Sequence, residues 1–148
     1  MTIYKKTVPN GDSMVKKAKQ SKLTLILRVL LGIVLIVFGL NGIMTLMGNP
    51  LMPMPDFTGN AAVVMNGLFT AGYIFWAVAL VNLLAGLAFV TNRYVALANV
   101  VLFPISLNLM LFHLFVDMQG IVMAAPVFII NVYLVYANWD KYKSVVAK

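Results

Sequence analysis

Apolar and polar positions along this chain separate into whole segments instead of alternating residue by residue. Four apolar blocks, at about 23–47, 61–90, 94–116 and 120–138, are divided by short polar stretches. Crossing a bilayer takes about 20 apolar residues, with a range of roughly 17–25. The first three blocks reach that length outright and the fourth barely does. The second is long enough to tilt or to run past the hydrocarbon edge. The pattern predicts an all-α integral membrane four-helix bundle over residues 23–142, preceded by a tail at 1–22 and followed by one at 143–148. The first block is too long for the apolar region of a signal peptide, about 7–15 residues, and no small-x-small cleavage site follows it, so it reads as a retained span.

Loop lengths refine this picture. The connections at 91–93 and 117–120 are short enough to make spans two, three and four antiparallel neighbours, which gives up-down-up-down order. The connection at 49–59 is longer and holds Pro50, Pro53 and Pro55. Proline fixes φ and removes a donor, so this segment should cross one face of the bundle in extended form. Its apolar side chains place it on the bundle or at the interface.

Composition agrees with lipid as the solvent. The chain has 148 residues, 62% apolar and 10% charged, against about 25% charged in soluble domains. With no cysteine, disulfides and thiolate chemistry within the chain are excluded. One histidine and four acidic residues leave few ligands for a metal, and none is assigned. The net charge of +7 would fit nucleic acid, but its placement argues against that partner. All eleven basic residues fall on one side of a four-span path: seven at or before the start of span one, Arg93 between spans two and three, and three after span four. Basic loops stay on the cytoplasmic side, so both termini are expected there, in a bacterial inner membrane. The lysines at 14–22 could form a short helix on anionic headgroups or a solvated tail that only sets orientation.

Polar residues inside the spans are the functional clues, because hydrocarbon drives them toward the bundle interior. On span three, Asn99, Ser106, His113 and Asp117 fall within about 40° of one another at 100° per residue. Asn66, Thr70 and Tyr73 likewise make one polar stripe on span two. Gly32, Gly39 and Gly42 share a face of span one with Arg28, a small-residue seam that lets another helix approach closely. By depth, Asn41, Asn66, Thr70, His113 and Asp117 can converge on an outer-half pocket. Asp117 lies one turn after His113, within reach of one imidazole nitrogen; the alternative is a backbone carbonyl partner for the ring. Arg28, near the inner end, either snorkels to headgroups or pairs with Asn82, Asn99 or a lipid phosphate. Tyr73 and Trp76 fall mid-span and are expected in the core or lining a cavity.

The runs Arg28-Val-Leu-Leu-Gly32, Phe38-Gly39-Leu40-Asn41, Leu83-Leu-Ala-Gly86-Leu87 and Pro104-Ile-Ser-Leu-Asn108-Leu-Met-Leu-Phe112-His113-Leu-Phe115-Val-Asp117 resemble the DoxX and DoxX-like bacterial membrane proteins, from about Leu23 to Tyr142. The resemblance implies a four-helix inner-membrane bundle. For some members it implies the small membrane subunit of a quinone-linked oxidoreductase, such as thiosulfate:quinone oxidoreductase. Arg28, Asn41, Asn108, His113 and Asp117 match positions that recur in the family. Asn82 stands where many members carry a glutamate, and an asparagine cannot relay a proton by ionising.

Two functions are therefore expected. One is an accessory or anchoring subunit of a redox complex, with a quinone or bound lipid in the bundle. The other is a non-enzymatic assembly subunit, or a homo-oligomer, docked to membrane partners through the glycine seam and Met44, Met47, Met52 and Met54. A small-solute transporter fits less well, since no repeat and no mid-membrane ionisable residue is present. One histidine and no cysteine are too little for a self-sufficient redox enzyme.

Overall fold

The computed structural model describes residues 21–143. The lysine-rich segment at 1–20, including any surface helix there, and residues 144–148 lie outside the described residues. The described chain is helical: α1 (Lys22–Leu46), α2 (Gly59–Ala71), α3 (Tyr73–Thr91), α4 (Val95–Phe115) and α5 (Ile121–Ala137), with 3-10 turns at Met118–Gly120 and Trp139–Lys141. Four stretches are long and apolar enough to cross a membrane: α1, α3, α4 and Met118–Ala137. The protein is a multi-pass membrane protein.

Helix α1 starts where Ser21 caps it: its side chain accepts the Thr24 N–H at 3.1 Å and fills one of the free donors of the first turn. The second apolar block differs from expectation. It is not one span, because Gly72 adopts φ 72°, ψ −56° and separates α2 from α3. Only glycine takes that conformation without steric cost. The Phe69 and Phe75 rings stack across the break at 4.1 Å. With 13 residues, α2 is too short to span.

The bundle closes with α1 against α3, α3 against α4, α4 against α5 and α5 against α1. The α1–α3 seam is the closest. A Cβ added at Gly39 would lie 2.7 Å from Leu83 N and 2.9 Å from the Ala79 carbonyl; one at Gly86 would lie 2.7 Å from the Gly32 carbonyl. Gly42 meets Ala79 in the same way. The helix that occupies the seam of Gly32, Gly39 and Gly42 is thus α3 of the same chain. Two further bonds gather one end of the bundle. The Thr24 and Tyr133 hydroxyls are 2.9 Å apart, the Tyr142 hydroxyl donates to the Ala96 carbonyl at 2.8 Å, and Lys22, Arg93, Lys141 and Lys143 lie at this same lysine end. Burial holds the Tyr142 phenol above its ordinary pKa, partly offset by the neighbouring Asn99 side chain.

Polarity is inverted relative to a soluble bundle. Thr24, Arg28, Asn99, Ser106, Asn131 and Asn138 are buried, whereas Leu84, Leu97, Val122 and Ile129 are exposed. A lipid-facing exterior and a hydrogen-bonded interior produce this arrangement. Tyr73 and Trp76 also face outward, contrary to the core placement expected for them, because α3 begins at Tyr73 and puts both in its first turn.

The seam makes a direct test. Helix propensity favours alanine over glycine by about 1 kcal/mol, but the Gly39 methyl would meet backbone atoms that cannot rotate away. Overpacking of that kind costs about 1–3 kcal/mol. Gly39→Ala is therefore expected to lower the detergent-state Tm; an unchanged or higher Tm would mean that the backbones do not approach this closely.

Candidate functional site

At the end opposite the lysines, two cavities meet at one side chain. The first, of about 270 Å3, lies inside the bundle between α1, α3, α4 and α5. Its walls are mostly apolar, from Leu35, Phe38, Leu102 and Val127, with Asn41, Thr45, Asn82, Ser106 and His113 as its polar points. The second, of about 340 Å3, lies under the 49–59 connection and is lined by Asp56, Phe57, Thr58, Asp117, Gln119 and again His113. His113 is the partition between an apolar chamber and a polar vestibule.

The local sequence holds that partition in place. His113 occupies the last turn of α4, and the chain turns back through Met118–Gly120 into α5. The imidazole Nδ1 lies 2.9 Å from the Asp117 carbonyl oxygen and 3.5 Å from its carboxylate Oδ2. With the ring neutral, the Nδ1–H donates to that carbonyl and Nε2 is left as an acceptor. The carboxylate expected to orient the ring thus acts mainly through its own backbone. Gly120 closes the cradle: a Cβ there would occupy the space of the ring atoms Cε1, Nδ1 and Nε2. Phe112 supports the ring edge-on at 5.1 Å and contacts Phe57 of the connection at 6.0 Å.

Asn41 ties the connection to the bundle. Its Oδ1 accepts the Met52 N–H at 2.7 Å, while its carbonyl accepts the Thr45 hydroxyl at 2.7 Å. The segment lies on the bundle as expected, and Met54 reaches the chamber wall.

Of the residues expected to converge here, Asn41, His113 and Asp117 do. Asn66 and Thr70 do not: both lie exposed on α2, and Thr70 bonds only the Asn66 carbonyl, at 2.8 Å. The Gly72 break removes them from span two. Asn82, expected near the opposite end as a partner for Arg28, lines the chamber with Asn41 and His113. Arg28 does not snorkel; it is 2% exposed and has neither Asn82 nor Asn99 as a hydrogen-bond partner. Asn99 instead meets Asn131, whose Oδ1 accepts the Ser106 hydroxyl at 2.9 Å. Gly120 is the site residue that sequence reasoning missed, and Asn82 the one it assigned to the wrong end. The only sequence signal for Gly120 is a glycine seven positions after the lone histidine, in a loop too short to avoid it.

Among the described residues, no three metal-ligating side chains come together. The chemistry on offer is one imidazole, one carboxylate and several amides at the mouth of an apolar chamber. Such a set can hydrogen-bond a carbonyl or hydroxyl while the remainder of a molecule sits in apolar surroundings. Comparison with protein-family models, with curated proteins and with solved structures gives no match to this chain.

Because His113 is the chain's single histidine, its state can be read without background. Uniform 15N-histidine labelling is expected to show one dominant Nδ1–H tautomer in the native protein. Gly120→Ala should displace the ring and give averaged ring-nitrogen shifts. An unchanged spectrum in that variant would contradict the cradle.

Proposed function

We propose that this protein is a small four-span membrane subunit that holds a quinone-like or lipid-like molecule between its apolar chamber and polar vestibule, as an accessory component of a larger membrane complex. The observation that carries this reading is the sharing of His113 by the two cavities. An amphiphile with a carbonyl or hydroxyl head needs that junction: hydrogen-bonding groups on one side, hydrocarbon on the other. A chamber of about 270 Å3 lies just under the usual ligand-pocket range of about 300–1,000 Å3. It suits a ring headgroup whose tail leaves between helices, and is small for a whole phospholipid.

The likeness of the span-three run to DoxX-like sequences supports a quinone-linked partner. The uneven placement of the basic residues supports an up-down-up-down path in a bacterial inner membrane, with the lysine end and both termini cytoplasmic. On that path His113 lies near the opposite face. Redox chemistry belongs to the partner in this reading, since Asn82 cannot ionise and one histidine supplies a single proton position.

Lipid extraction and mass spectrometry of the protein purified in a mild detergent provide the test. A quinone or prenyl lipid is expected at close to one per chain. Val127→Phe, which fills the chamber from α5, should remove it, and His113→Ala should reduce it by about tenfold, the loss of one buried hydrogen bond of about 1.4 kcal/mol. The same bound lipids at the same ratio in the wild type and in Val127→Phe would refute the assignment.

A further inference from the structure

Deep in the lysine half of the bundle, two buried side chains carry N–H donors that complete no hydrogen bond. Arg28 is 2% exposed, and its Nε and Nη1 have no hydrogen-bond partner; Asn99 is 0% exposed, and its Nδ2 completes no hydrogen bond, with the Tyr142 phenol as its neighbour. Among the described residues these are the buried side-chain polar atoms left unpaired, and all three are N–H groups. The deficit is therefore one-sided: what the interior lacks is an acceptor.

The two residues belong to one layer of the bundle. The Thr24–Tyr133 contact sets α1 against α5, and the contact of Asn131 with the Asn99 carbonyl and Oδ1 at 3.4 Å sets α5 against α4. Asn131 lies two residues from Tyr133, toward the His113 end. Arg28 lies one turn from Thr24 in the same direction and on the same buried face, and helical side chains lean back toward the N-terminus. Its guanidinium is thereby directed to the level of Asn131 and Asn99.

Charge completes the case. Of the four acidic residues, Asp56 and Asp117 are at the far end, Asp140 is exposed and paired with Lys143, and Asp12 precedes the described residues. No described carboxylate faces Arg28, while Lys22, Arg93, Lys141 and Lys143 surround that end with positive charge. A guanidinium fork matches the paired oxygens of a phosphate, and an amide N–H adds a third bond. Arg28 is six residues into α1, about 9 Å from its start at about 1.5 Å per residue, a depth that a headgroup phosphate can reach.

We propose that Arg28 and Asn99 form a buried oxyanion site that takes the phosphate of an anionic phospholipid from the lysine end of the bundle. This site is separate from the His113 chamber, and neither depends on the other.

Thermal unfolding of the full-length protein in neutral detergent, followed through Trp76 and Trp139, tests it with added phosphatidylglycerol, phosphatidylcholine or inorganic phosphate. The wild-type Tm is expected to be roughly 3–6 °C higher with phosphatidylglycerol than with phosphatidylcholine. Native mass spectra should retain one anionic lipid per chain. Arg28→Met removes the unpaired charge and keeps the bulk, so it should unfold no lower than wild type in phosphatidylcholine and lose the response. Arg28→Lys, which keeps the charge without the fork, should retain part of it, and Asn99→Ala less than wild type. A response to the lipid alone assigns the oxyanion to a headgroup; an equal response to inorganic phosphate assigns it to a soluble ion, and both support the site. Equal lipid responses in the wild type and Arg28→Met would overturn it. So would a fall in Tm on Asp12→Asn that is absent in the Arg28→Met background, because the chain's own carboxylate would then fill the position.

Discussion

Hydrocarbon offers no hydrogen bonds, and this decides what each residue of the spans must do. A polar group that faces lipid loses its partners, so the amides and hydroxyls turn inward and satisfy one another. Ser106, Asn131 and Asn99 form such a chain across α4 and α5, and a separate bond between Thr24 and Tyr133 joins α5 to α1. The same solvent removes the usual reason for helices to associate, since lipid tails are as apolar as leucine. Close backbone contact along Gly32, Gly39 and Gly86 supplies the cohesion instead, through dispersion between α1 and α3 at distances a side chain would prevent.

The constraint also explains why the site sits where it does. Inside the bundle the chamber walls are mostly apolar, so little in it asks for water. At its mouth the chain leaves the helical regime, and backbone carbonyls and loop side chains become available. His113 stands at that boundary, held by the Asp117 carbonyl and the bare backbone of Gly120. A membrane protein that binds an amphiphile needs this transition between two solvents, and one imidazole with an acceptor nitrogen can mark it. Arg28 Nε and Nη1 and Asn99 Nδ2 stand outside this internal pairing, and the proposed oxyanion site rests on them.

Much of this was legible in the sequence. Block lengths gave the number of spans, and the 3.6-residue period placed Asn99 and Ser106 on one buried face of α4 with His113 half-buried beyond them, whereas Asp117 lies past the end of that helix in extended backbone. The spacing of Gly32, Gly39 and Gly42 announced a close seam. What stayed hidden traces to Gly72. It lies in a predominantly apolar run broken only by Asn66, Thr70 and Asn82, so hydropathy reads 61–90 as one helix, and only the backbone shows that it breaks. The other errors follow from that shift. Asn66 and Thr70 leave the bundle, Tyr73 and Trp76 move from mid-span to the first turn of α3, and Asn82 moves from an end to the middle, beside the chamber. The role of Gly120 was hidden for a different reason. A loop glycine looks alike whether it serves a turn or makes room for a ring.

The absence of native cysteine allows the inverted polarity to be measured site by site. Spin labels on single cysteines at Leu84, Leu97 and Val122, in protein reconstituted into bilayers, should relax with dissolved oxygen and not with a water-soluble nickel chelate. A label at Gln119 should show the reverse. Relaxation of the three helix positions by the chelate would mean that water, not lipid, bathes the faces assigned to hydrocarbon, and the account of the fold and its sites would fail with it.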